Sequence, residues 1–267
     1  GAMVFGNPYR EQIQMNENTI WAGGPYRNDN PEALQYLPEI RQLIFDGKFE
    51  EAEQLACQKI TSQTAHGMPY QTAGNLYLSF AGHENFSDYY RDLNLENAIA
   101  TTSYKVNGVS YKREVFTSFT EKAIVIRITA DKPGKISFTA ALERPSNVTL
   151  TTEGNDKLIM TGITSDHEGI KGQVKFQTNV KIITEGGETT SNHIYLNVKN
   201  ANTATVYVTI GTNFKDYNDV SGDASALANE RLANILKKDY PTQLKEHVAA
   251  YQKLFKRVTF DLGTSDA

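Results

Sequence analysis

After His66-Gly67-Met68-Pro69 the chain reads as β-strand for well over a hundred residues, with no helical stretch between one strand and the next. NLYLSF, TTSYKV, VSYKREVFTS, KAIVIRITA, KISFTAAL, VTLTTEG, DKLIMTG, KGQVKFQTNVKIITEGG, SNHIYLNVKN and TATVYVTIGT alternate apolar and polar side chains or are rich in β-branched residues. That is how strands with a buried face read. Asn107-Gly108, Lys132-Pro133-Gly134, Glu153-Gly154-Asn155-Asp156 and Glu185-Gly186-Gly187 punctuate them and suit tight hairpins. Strands at such regular spacing, without helices between them, predict antiparallel sheets packed face to face. The fold class is therefore mainly β: a large antiparallel β-sandwich, or super-sandwich, with more strands than an immunoglobulin domain.

Helices are expected in two places. Residues 3–30 hold short strand-like pieces, MVFG and EQIQM, and the turn-rich stretch WAGGPYRNDNP. From about 31 to 60, Leu34, Leu37, Ile40, Leu43 and Ile44, then Phe49, Ala52, Leu55, Ala56 and Ile60, recur at helical spacing. Asp46-Gly47 splits the run, so an αα-hairpin is inserted near the N-terminus, with Gly47 as a left-handed cap. From Ser221 onward the period is helical again. Asp223 or Ser221 can cap a helix whose Leu227, Leu232, Ile235 and Leu236 share a face. Pro241 opens a second helix with Leu244, Val248, Tyr251 and Leu254 apolar. RVTFDLGTSDA closes as a short strand and a frayed tail. The organisation expected is a sandwich over 1–220 and a helical linker over 221–267.

Composition narrows the function classes. Of 267 residues, 39 % are hydrophobic and 22 % charged, the balance of a folded globular chain rather than a disordered one. A net charge of −4 gives no basic field for nucleic acid. No apolar run reaches the ~18 residues of a membrane span. The start, GAMVFGNPYR, carries no secretory leader pattern. One cysteine, Cys57, rules out an internal disulfide and a cysteine-based metal site, and EQLACQKI reads as a buried helical position. The five histidines (His66, His83, His167, His193 and His247) never fall at ligand spacing, so neither metal nor cofactor is expected. Nucleotide, nucleophile-elbow and zinc-protease motifs are missing from the sequence.

Three local constellations bear on chemistry. Asp166-His167-Glu168 could hold a metal or act as a base, but its turn composition reads as a solvated loop. Arg91-Asp92 and Arg113-Glu114 lie in aromatic and apolar surroundings and read as ion pairs anchoring strands. In QMNENTIWAGGPYRND, an amide, an acid and the only tryptophan fall within six residues, Asn16, Glu17 and Trp21. Sugar sites use that mixture, an indole face for the ring and polar partners for hydroxyls. Trp21 is equally suited to a core anchor and Asn16 to a turn.

GAMVFG, IQMNENTIWAGGP, PYQTAGNLYLSF, YYRDLNLENAIATTSYKVNGVSYKREVFTS and HVAAYQKLFKRVTFDLG together resemble the amino-terminal domain of glycoside hydrolase family 95 over essentially the whole chain. The resemblance implies an α-L-fucosidase-like enzyme. Such enzymes hydrolyse α-1,2-linked L-fucose, or α-L-galactose, with inversion, in an (α/α)6 barrel that follows the sandwich and linker. It implies that the catalytic residues belong to that barrel, so none is assigned here. The implied partners are the chain's own C-terminal barrel and, through the complete enzyme, fucosylated glycans. A periplasmic or extracellular location is implied in the same way. Asn16, Glu17 and Trp21 are the candidates for touching sugar at the rim. Two rivals come from other classes, an autonomous carbohydrate-binding sandwich and a self-contained small hydrolase. Aromatics spread on one sheet face would favour the first; a broad apolar face beside the terminal helices would favour docking on a barrel.

Overall fold

The computed structural model describes residues 1–62 and 67–264; His66 lies outside them. The chain opens with β1 (Ala2–Val4) and β2 (Arg10–Met15), then the helices α1 (Ala33–Phe45) and α2 (Phe49–Lys59). Next come β3 (Gly74–Ser79), β4 (Ser87–Asn94), β5 (Ile99–Val106), β6 (Val109–Ser118), β7 (Ala123–Ala130) and β8 (Ile136–Glu143). They are followed by β9 (Val148–Glu153), β10 (Lys157–Ile163), β11 (Lys175–Glu185), β12 (Glu188–Asn192), β13 (Tyr195–Ala201) and β14 (Thr203–Thr212). The helices α3 (Ala224–Ile235) and α4 (Tyr240–Phe255) complete the order. Among the described residues the strands form two sheets, β1-β2-β3-β8-β13-β12 and β4-β5-β6-β7-β14-β11-β10-β9. Their pairings are antiparallel, as the hairpin turns require.

Alternation explains the packing. Ile13 and Met15 of β2, Leu76 and Leu78 of β3, and Phe138, Ala140 and Leu142 of β8 point inward from the smaller sheet. Ile124, Ile126 and Ile128 of β7, with Val206, Val208 and Ile210 of β14, meet them from the larger one. Each of the larger side chains among them contributes about 1.5–3 kcal/mol by leaving water. Strand β14 is buried on both faces. Its outer side packs under α3, where Leu232 and Ile235 meet Phe116, Val125 and Tyr207. TATVYVTIGT is consequently almost unbroken in apolar and β-branched residues.

A charged group interrupts this core. Glu11 takes an inward position of β2 and is 1 % exposed, as is Arg113 of β6 in the opposite sheet. Arg91 of β4 places one nitrogen 2.9 Å from both Glu11 oxygens. Arg113 donates to Glu11 at 3.4 Å, to Asn7 O at 3.2 Å, to Pro8 O and to Tyr104 Oη at 2.6 Å. Its guanidinium lies 3.9 Å from the Phe80 ring centre. The arginines do anchor strands, but through Glu11; Glu114 instead pairs with Lys112 at 2.7 Å.

The hairpin forms where expected, with Gly47 at φ +74° closing α1. Several details depart from the sequence reading. Cys57 is exposed: it lies five residues beyond the buried Ala52, about 140° around the helix. In α4 the buried residues are Gln243 and His247, one position ahead of the expected apolar stripe. His247 stacks on Phe116 at 4.6 Å, and Gln243 donates to the carbonyls of Ile235 and Lys238 at 2.8 Å. SNHIYLNVKN is divided by a turn at His193-Ile194 into the end of β12 and β13. Residues 258–264 form no strand, and Val258, Phe260 and Leu262 are exposed. Among the described residues no helix is long and apolar enough to cross a membrane.

Candidate functional site

The NENTIWAGG stretch leaves β2 and folds into a compact loop anchored by Ile20, which is fully buried. Glu17 turns its carboxylate back on the loop. Its Oε2 accepts from the Thr19 amide at 2.7 Å and the Thr19 hydroxyl at 2.5 Å. That hydroxyl also meets Thr212 Oγ1 at 2.7 Å, tying the loop to the end of β14. Trp21 is 44 % exposed, with its indole nitrogen donating to Asn18 O at 2.8 Å. The indole is thus held by its polar edge while part of its ring faces water.

A second segment completes the arrangement. Trp21 pairs through its backbone with Tyr70, and their rings meet edge-on, 5.4 Å between centres at 74°. The Tyr70 hydroxyl donates to Asn16 Oδ1 at 3.2 Å, and burial raises its pKa above the usual phenol value. Ala22 N donates to Pro69 O at 3.0 Å, and Gln71 N to Ile20 O at 2.9 Å. Asn16, Glu17 and Trp21 therefore share one loop, with Tyr70 as a fourth member. Tyr70 lies inside PYQTAGNLYLSF, but without the pairing of 21 with 70 nothing local marked it.

The Asp166-His167-Glu168 segment packs behind the same loop. Gly23 N donates to Ser165 O at 2.8 Å, and Gln173 N to Gly23 O at 2.9 Å. A Cβ on Gly24 would lie 2.5 Å from the Gln173 side chain, so the approach requires glycine. Lys171 donates to Asp166 at 2.7 Å, which with the Gly172 amide holds this carboxyl below its usual range. His167 and Ile170 exchange backbone hydrogen bonds at 2.9 Å, and His167 Nε2 lies 3.8 Å from Glu168. The segment is a tight hydrogen-bonded loop, as its composition indicated.

Two grooves lined by described residues each carry a single acid, Glu17 in one and Asp223 in the other. One groove of about 560 Å³ runs between the Asn16-Glu17-Asn18 segment and α4, with His247, Tyr251 and Lys122 along it. A larger one of about 950 Å³ lies between β9–β11 and the start of α3; its acid, Asp223, caps that helix. A glycosidase general acid needs a carboxyl group with a raised pKa. The carboxyl groups with displaced values here, Asp29, Asp166, Glu185, Asp219 and Asp239, are all lowered, chiefly by hydrogen bonds to side chains. Among the described residues no three His, Cys, Asp or Glu side chains converge as metal ligands.

Residues 1–217 match the family described as glycosyl hydrolase family 65, N-terminal domain. Three curated relatives are similar along nearly the whole chain. "Alpha-L-fucosidase 2" of Arabidopsis thaliana is 29 % identical, covering 99 % of this chain and 34 % of its own length. "Probable alpha-fucosidase A" of Aspergillus oryzae is 24 % identical (98 % and 38 %), and its namesake in Aspergillus niger 22 % (98 % and 34 %). The chain spans about a third of the length of these relatives. Their names are consistent with the family 95 resemblance, although the matching family carries the number 65. Among solved structures, "Putative kojibiose phosphorylase from human microbiome" aligns with a TM-score of 0.45 at 10 % identity, over 96 % of this chain and 39 % of that one.

Proposed function

The chain belongs to the glycosyl hydrolase family 65 N-terminal domains, and from that membership we propose that it is the non-catalytic supporting part of an α-L-fucosidase-like hydrolase. The complete enzyme would release α-1,2-linked L-fucose, or α-L-galactose, with inversion, in a helical barrel following the linker at 221–267. The observation that carries this reading is the loop end built by Asn16, Glu17, Trp21 and Tyr70. It offers a half-exposed indole and an amide beside a fixed carboxylate. Such a surface can line the rim of a sugar pocket that another domain closes.

The docking reading gains support from the apolar surface beside the terminal helices. Leu93, Leu95, Leu254 and Phe255 are exposed there, and Tyr251 of α4 donates to Leu95 O at 2.9 Å. The open face of the smaller sheet presents the hydrogen-bonded pairs Gln12–Asn75 and Thr139–Asn197 together with Tyr77 and Tyr195 on either side of Ala141, so the carbohydrate-binding module stays as the second reading.

The test compares release of L-fucose from 2′-fucosyllactose by this chain and by the chain extended to the length of its relatives. Release by the extended protein alone is expected. Release by the short chain would overturn the supporting role and return attention to Asp166, Glu168 and Glu17. If neither acts, α-L-galactosides are the next substrates.

A further inference from the structure

The αα-hairpin keeps large apolar side chains in water. Phe45 is 81 % exposed, Leu34 77 %, Phe49 67 % and Ile44 45 %. Burying a side chain of this size is worth about 1.5–3 kcal/mol, and a concentration of them on a surface marks an interaction site. Ile44, Phe45 and Phe49 flank the Asp46-Gly47-Lys48 turn, so the concentration is at the tip. The inner faces are already used: Ile40 and Ala52 are the residues the two helices bury.

The base of the hairpin is fastened just beyond the Trp21 loop. Asn30, itself buried, donates from Nδ2 to Lys59 O at 2.9 Å and so joins the outgoing and returning chains. Trp21 precedes the insertion and Tyr70 follows it, and the two are bridged. The arm therefore rises from the end of the sandwich that carries the candidate rim.

We infer that the apolar tip, Ile44, Phe45 and Phe49, docks into the remaining C-terminal part of the same protein and so fixes where Trp21 and Tyr70 stand relative to it. This rests on the reading that the chain supports a catalytic domain. The relatives extend over about three times the matched length, so a body large enough to receive the tip belongs to each of them. A covalently linked partner acts at an effective concentration of order millimolar. A three-residue knob then suffices in cis, where separate proteins need roughly 1,000 Å² of interface. Glu50, Glu51 and Glu53 follow the tip and would be repelled by an anionic lipid surface, which leaves an apolar protein pocket as the occupant.

The experiment replaces Phe45 in the full-length protein by p-benzoylphenylalanine, an aromatic residue that cross-links to neighbouring C–H bonds on irradiation. The expected result is an intramolecular link, in the monomer band, to a residue beyond position 267. Phe49→Asp in the same protein should abolish that link, and Phe49→Leu should keep it; Trp21→Ala should leave it intact. A link confined to a dimer band would assign the tip to a second copy and overturn the inference. Links only within residues 1–267, no link, or a link that survives Phe49→Asp would overturn it equally. Unchanged kinetics in Trp21→Ala with the link intact would remove the rim reading alone.

Discussion

Glu11→Gln isolates the energetic role of the charge cluster between the sheets. The substitution keeps the side chain's size and an oxygen for the Gly6 amide, which Glu11 Oε1 accepts at 2.9 Å. It removes the negative charge facing Arg113, whose side chain is 1 % exposed. Breaking a buried ion pair from one side costs about 3–5 kcal/mol, because the surviving charge stays buried without its counter-ion. Arg113 retains acceptors in Asn7 O, Pro8 O and Tyr104 Oη, which places the loss near the lower end, about 3 kcal/mol. At about 2–4 °C per kcal/mol for a chain of this size, the midpoint should fall by roughly 6–12 °C. Glu114→Gln is the control, since its pair with the half-exposed Lys112 belongs to a class worth about 0–1 kcal/mol. Thermal unfolding followed by circular dichroism reads both. A fall of less than about 2 °C for Glu11→Gln would refute the reasoning, meaning that the carbonyls and the ring of Phe80 satisfy Arg113 unaided.

Other consequences can be measured alongside. Trp21→Ala in the full-length protein should raise KM for the fucoside with little change in midpoint, because the indole is half-exposed; equal kinetics would remove it from the rim. Asp223→Ala takes away an acceptor 2.9 Å from the amides of Ser225 and Ala226 and should cost about 1 kcal/mol, read as a shift in the urea midpoint. His83 is pushed below its ordinary 6.5, first by desolvation and then by Arg113. Its Nδ1 lies 2.9 Å from Tyr104 Oη, a hydroxyl that burial pushes up to about 12. The neutral imidazole is the form that suits folding, so its contribution is full above pH 6.5 and is lost as pH falls through the folded value. The stability gap between wild type and His83→Phe should therefore narrow below pH 6.5; a widening gap in urea titrations would contradict this.

What the sequence disclosed follows from which forces act locally. Strands β5, β6, β8, β9 and β10 were legible because one face of each meets the core, which alternation records directly. Strands β7 and β11, buried on both faces for much of their length, were legible by their β-branched residues. The αα-hairpin was legible through Gly47 and its helical period. Strand β4 was not, since as an edge strand it leaves Tyr89, Tyr90 and Leu93 exposed and alternates with nothing. The RVTFDLG alternation misled for the converse reason, because a strand requires a neighbour and the described residues offer it none. Cys57 was misplaced because helical period gives a face without saying whether anything covers it. The partner of Arg91 and Arg113 had a signal: Glu11 is an acid at an inward position of EQIQM, where only a buried cation can accompany it. Asn16, Glu17 and Trp21 stood out by residue type, whereas Tyr70 joined them only once the chain had returned from the hairpin.

That return has a consequence for how the molecule can be altered. Because Asn30 reaches Lys59 across the base, and Trp21 is bridged to Tyr70 just outside it, the sandwich experiences the whole insertion as a single closed turn. Its length is uncoupled from the register of β2 against β3, which is set by Ile13 opposite Leu76. The arm is in this sense a cassette. It could be shortened, exchanged or given a different tip without moving the indole by the width of a strand, and the reach of the domain becomes a variable separate from its fold.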